Sequence, residues 1–200
     1  MNWKLIVAIA LITYGGYQQF SKRAVSYGPG VVAALAPAQQ KSSQKTFTHN
    51  GYSITPLESF EIEARVLSRE DYSAGREADL APTDLALGWG KMSDESILKD
   101  IKITQSGRFY FWHVDEFKIP REEIETHSAN MHMIPANSQI EKILKTIRKG
   151  QIVKISGDLI EAKASDGWHW KSSLTRTDTG NGACEVVFVK ALAEIGRAHV

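Results

Sequence analysis

SQIEKILKTIRKGQIVKISGDLIEA, residues 138–162, is the stretch whose reading decides the fold. Ser138 and Glu141 stand at capping-box spacing, and Ile140, Ile143, Leu144 and Ile147 recur at the spacing of one helix face. Arg148 and Lys149 suit the last turn, and Gly150 supplies the stop. From Gln151 to Ala162 the apolar period shortens towards two, which predicts a strand, with Gly157 as a bulge. A capped amphipathic helix running straight into a strand predicts a helix that closes one end of a curved sheet.

Working outward, Ser59–Ser68 alternates Phe60, Ile62, Ala64 and Val66 against Glu61, Glu63 and Arg65, the pattern of a half-buried strand. Residues 69–96, REDYSAGREADLAPTDLALGWGKMSDES, read as a polar insertion on the sheet. Within it Pro82 opens a helical turn that Gly88 stops, and Ser93 caps another before Ile97 and Leu98. Ile101–Gln105 and Arg108–Val114 predict a hairpin turning at Ser106 and Gly107. A loop rich in His and Met runs from Pro120 to Pro135, ahead of the helix. After Ala162 the chain turns at Asp166 and Gly167, continues through Trp168–Ser173, crosses the polar loop TRTDTGNGA and ends in a strand at Glu185–Lys190.

The order is strand, hairpin, helix, strand pair, final strand. It resembles the OB fold, which places its helix between the third and fourth strands of a five-stranded barrel, and IRKGQIVKISGDLIEA resembles the fourth strand of many OB domains. The resemblance covers roughly residues 59–190 and implies a mainly β domain with one principal helix, an OB-like barrel of five to six strands. The phrases LALGWGKMSD, ETHSANMHMIPAN and SSLTRTDTGNGACE resemble a group of uncharacterised proteobacterial proteins with the same anchor-plus-domain layout. That likeness carries no activity with it.

Composition bounds what the domain can do. Among 200 residues, 24 Lys plus Arg against 23 Asp plus Glu leave a formal charge of +1, so no global field draws the chain to nucleic acid. The single cysteine, Cys184, excludes an intramolecular disulfide. No cofactor motif is present.

Both ends read as separate from the core. LIVAIALITY, residues 5–14, lies between Trp3 with Lys4 and a flank holding Tyr17, Phe20, Lys22 and Arg23. No small-residue cleavage site follows, so residues 1–22 predict a single-pass transmembrane anchor, with residues 3–20 in the bilayer of a bacterial inner membrane and the domain on the periplasmic side. Residues 23–50, rich in Gly, Pro, Ala, Gln and Ser, predict a flexible linker to a globular domain at 51–193. Residues 194–200, EIGRAHV, are similar to the in-frame translation of a common sequencing-library adapter and are expected to be a non-native tail.

Three groups could carry chemistry. His127, Asn130 and His132, with Glu123 and Glu125 ahead of them, offer donors to a transition metal if Cys184 or His113 converges, but this spacing is no ligand signature, and hydrogen bonding within a loop explains the same letters. Residues 172–184 bring Arg176, Asp178 and several glycines together, enough to cradle an anion or a sugar or simply to make a wide turn. Tyr110, Trp112, Trp168 and Trp170 are rings that either stack a ligand or fill a core. Cys184 acts as a nucleophile only if a base lowers its pKa. These features favour a non-catalytic binding or assembly module engaging a partner protein or an envelope glycan. The alternatives are a metal-assisted hydrolase centred on His127 and His132, and a single-strand nucleic-acid binder.

Overall fold

The computed structural model describes residues 3, 5–7, 9, 23–178, 180 and 182–196. Residues 3, 5–7 and 9 are helical, and most of the expected anchor lies outside the described residues. Among those described, no helix is long and apolar enough to cross a membrane.

The fold is mainly β. In chain order the elements are β1 (Ala38–Lys41), β2 (Phe47–His49), β3 (Tyr52–Asp71), α1 (Arg76–Leu80), β4 (Thr83–Gly88), a 3-10 turn (Gly90–Ser93), α2 (Glu95–Leu98), β5 (Lys102–Ser106), β6 (Phe109–His113), α3 (Arg121–Thr126), β7 (Ser128–Pro135), α4 (Ser138–Leu144), β8 (Ile152–Lys163), β9 (His169–Lys171) and β10 (Glu185–Glu194). Five strands hydrogen-bond in a ring, β3-β4-β7-β10-β8 and back to β3. All neighbours are antiparallel except β7 and β10, which run parallel.

The ring can close because β3 is long and bent. Its 20 residues pair with β8 along one part and β4 along another, and extra residues at Leu57 and Leu67 break the register. Such bulges increase twist and bend a strand. A third lies at Lys190 in β10. Gly157, expected as a bulge, pairs with Phe60 and Val189, and the extra residue lies on β10 beside it, at Lys190. A Cβ there would collide with the Phe188 carbonyl oxygen, so the glycine permits close approach of β10.

The ring interior is filled from every strand: Phe60, Ile62, Ala64 and Val66 from β3, Leu85 and Leu87 from β4, Met131 and Met133 from β7, Val153, Ile155 and Leu159 from β8, and Val187, Val189 and Leu192 from β10. Ile140 and Leu144 of α4, with Ile147 just beyond, join this cluster, so the helix closes an end of the ring as its apolar face predicts. The helix is shorter than its periodicity suggests, and its cap is Asn137, whose side chain accepts from Gln139 and Ile140 N–H. Ser138 is therefore the first helical residue rather than the cap.

Four further expectations are corrected. Residues 83–88 form β4, a central strand, not a helical turn in an insertion. Every residue of β4 is buried, so it lacks the alternation that marks a half-exposed strand. The stretch after Pro120 is α3 and then β7, another central strand, rather than a loop. The hairpin turns at Gly107 and Arg108, both at positive φ, one residue later than expected. Asp94, not Ser93, caps α2, through its side chain to Ser96 N–H.

The stretch expected as a linker is held to the ring. Val32 and Ala33 N–H donate to Ser93 Oγ, Gly30 N–H to Asp94, and Tyr27 and Gly28 N–H to Glu95. Arg65, buried in β3, pairs with Glu95 and donates to the Val25 carbonyl. Further on, β1 and β2 both pair with β3.

Candidate ligand-binding site

The outer face of β4 and β7 is the polar side of the ring wall, because Leu85, Leu87, Met131 and Met133 take the alternate positions facing in. Asp84, Asn130 and His132 therefore project outward, yet all three are buried beneath the β5–β6 hairpin, β9 and the 172–184 loop. Buried polar groups need partners, and here the supply is incomplete: Asp84 Oδ2 and His132 Nδ1 are buried without a hydrogen-bond partner. Asp84 Oδ1 accepts from Arg108 Nη1 at 2.7 Å and stands 2.9 Å from His132 Nδ1. The Arg108 guanidinium lies 3.7 Å above the Tyr72 ring, and Trp170 packs on His132 with centroids 4.6 Å apart. Asn130 accepts from Gln105 and donates to the Arg108 carbonyl, so both ends of its amide are committed to fastening the hairpin to β7.

Beside this network lies a cavity of about 510 Å³. One wall is the hairpin, with Phe109, Tyr110, Phe111 and Trp112; the floor is Ser128, Ala129 and Asn130 of β7; the far wall is the loop before β10, with Arg176, Asp178 and Cys184, together with Glu185 at the start of β10. Ser128 Oγ donates to the Ile124 carbonyl, so the Tyr110 hydroxyl, 2.7 Å away, must be the donor to Ser128. Burial pushes the Tyr110 hydroxyl above its ordinary pKa. Glu185, 1 % exposed, pairs with Arg176. Glu185 Oε2 and Arg176 Nε and Nη2 are nevertheless buried without hydrogen-bond partners. Burial draws the Arg176 guanidinium down to about 10, which leaves it charged at neutral pH. Asp178 accepts from Ser173 Oγ at 2.6 Å.

The residues singled out from sequence are thus divided. Trp112, Asn130, Arg176 and Asp178 meet at the cavity. His132 and Trp170 belong to the adjoining buried network, and Trp168 packs on Tyr52 and Trp170. Trp112 sits apart from those two rings, edge-on to Phe117 and beneath Arg121, so the aromatic set makes no single stacking platform.

His127 and His132 do not share a centre. His127 is the C-cap of α3 and His132 lies within β7: His127 packs against Trp89 and Gly90, and His132 against Asp84. No group of three His, Cys, Asp or Glu able to hold a metal occurs among the described residues. Burial pushes the Cys184 thiol up to about 11. It is therefore protonated at neutral pH, and its neighbours are Asn130 and the Arg108 carbonyl rather than a base.

Asp84, Arg108 and Glu185 escaped sequence reasoning as site residues. Asp84 and Glu185 are charges inside runs that fold as buried strands, and a charge in an otherwise apolar strand is the signal that could have marked them. No protein-family model, curated protein or solved structure matches this chain.

Proposed function

We propose that the ring is an OB-like barrel, and that the chain is a membrane-tethered, non-catalytic binding module of the bacterial envelope. The strand order, the parallel β7–β10 pair and a helix between the third and fourth ring strands support the fold reading. The apolar run at residues 3–20, with Trp3, Tyr14, Tyr17 and Phe20 as interfacial rings, supports the tether. The observation that carries the binding reading is the cavity of about 510 Å³ between hairpin, β7 and the 172–185 loop, a size ordinary for a ligand site and lined by rings with a few buried polar groups.

The experiment is site-specific photocrosslinking in native membranes, with a photoreactive side chain at Phe111, which is 54 % exposed on the cavity wall, and at exposed Lys142 on α4 as the control. An adduct specific to position 111 is expected. Identical patterns at the two positions would overturn the binding reading.

A further inference from the structure

We infer that the cavity takes a neutral carbohydrate, a glycan segment of one to a few sugar rings; this deepens the binding reading above and depends on it.

The first argument is charge. Arg121 and Arg176 face Glu125, Asp178 and Glu185 around the cavity. Arg121 is paired with Glu125 and Arg176 with Glu185, while Asp178 already accepts a hydroxyl hydrogen bond. A phosphorylated or polyanionic ligand would meet more anions than cations and would lose its hydration without a counter-charge. A cationic ligand would find only Asp178 outside an ion pair, and that on the loop rim.

The second argument is hydrogen-bond capacity. Within one ion pair, two donors, Arg176 Nε and Nη2, and one acceptor, Glu185 Oε2, are buried and have no partner in the protein. Leaving such groups unmatched is costly, and a ligand that completes them removes that cost. The complementary group must accept from the guanidinium and donate to the carboxylate side by side. A hydroxyl does both with one atom and a pair of adjacent hydroxyls does so with two.

The third argument is shape. Phe109, Tyr110, Phe111 and Trp112 line the same cavity, alternating along β6: Phe109 and Phe111 are 39 % and 54 % exposed, and Tyr110 and Trp112 are half-buried against the core. A sugar ring has the matching division, carbon-bound hydrogens on its face and hydroxyls around its rim. A peptide residue also presents its N–H and C=O side by side on one edge, so trialanine is the competing probe.

The test titrates the full-length chain, held in a detergent without a sugar headgroup, with maltotriose, cellotriose and chitotriose by calorimetry. Trialanine and hexathymidylate are run beside them. At least one trisaccharide is expected to bind with a Kd of about 1 mM or tighter, weakened about tenfold or more by Phe111→Ala. Phe111 is solvent-facing, so the variant does not put the fold at issue, and Glu185→Gln should weaken the same sugar independently. Failure of all three sugars, or sugar binding indifferent to both substitutions, overturns the inference. Binding of the peptide or the oligonucleotide with sensitivity to Phe111→Ala also overturns it, while leaving the cavity as a ligand site. If no probe binds and position 111 gives no specific crosslink, the binding reading falls with it.

Discussion

Asp84 is fully buried, and its carboxylate is the point at which Arg108, and through it the hairpin, is joined to β4 and β7. Removing one partner of a buried pair leaves the other charge in low dielectric, where its uncompensated desolvation dominates. Asp84→Ala should therefore lower stability by about 3–5 kcal/mol, read as a shifted urea midpoint. A loss below about 1 kcal/mol, the range of exposed pairs, would show that the carboxylate is not the anchor described. Sequence shows Asp84 as one acid in a polar stretch. Its weight comes from Arg108 and His132, which lie 24 and 48 positions downstream: His132 meets it through the β4–β7 pairing and Arg108 through the packing of the hairpin on that face.

The helix α4 shows how far local pattern reaches. Its apolar stripe and its place before β8 are legible, because Ile140, Leu144 and Ile147 must share a face whatever they pack against, whereas the stop expected at Gly150 comes earlier, after Leu144 with Lys145 as the C-cap. The cap was misplaced by one residue, since Asn137 and Ser138 are both good caps by type and only the backbone tells them apart: Asn137 is extended, with φ −161 and ψ 174. Asn137→Ala is expected to cost about 1 kcal/mol and Ser138→Ala much less, compared by thermal melts of the two variants. Equal losses would return the cap to Ser138. The strands β4 and β7 fail for the opposite reason. Their inner faces fill the ring and their outer faces lie under the hairpin and loops, so the alternation that betrays a half-exposed strand is missing.

Across the molecule, residues 26–33 are fastened by three consecutive side chains, Ser93, Asp94 and Glu95. This makes the approach from the expected anchor to the ring a docked strap. Burial raises the Glu95 carboxyl, but hydrogen bonds from Ser26 and Tyr27 together with the Arg65 guanidinium outweigh it and hold the group below its ordinary 4.5. Asp94 is likewise raised by burial and carried below 3.8 by hydrogen bonds from Gly30 and Ser96. Carboxyls with lowered folded-state values contribute stability that is complete above their ordinary values and lost as pH falls through the lowered ones. Amide hydrogen exchange at Tyr27, Gly28 and Gly30, corrected for its intrinsic pH dependence, should therefore stay slow above pH 4.5 and accelerate below about 3.8, and Glu95→Gln should loosen Tyr27 and Gly28 at neutral pH. Exchange unchanged across that window would mean that the carboxylates do not hold the strap.

The chain carries in its order of residues whatever depends on neighbours: the greasy leader, the capped amphipathic helix, the alternating part of β3, the glycine-bearing hairpin and the near-zero net charge. Periodicity and capping are properties of a few consecutive residues, so they can be read there. Ring closure, the two-sided burial of β4 and β7, and the cavity with its unmatched Arg176 and Glu185 arise from pairings between distant segments, such as Ser53 with Lys163 and Met131 with Glu185. Which face of a strand is covered, and which polar atom is left without a partner, depends on what arrives from elsewhere in the chain. No window of sequence contains that information.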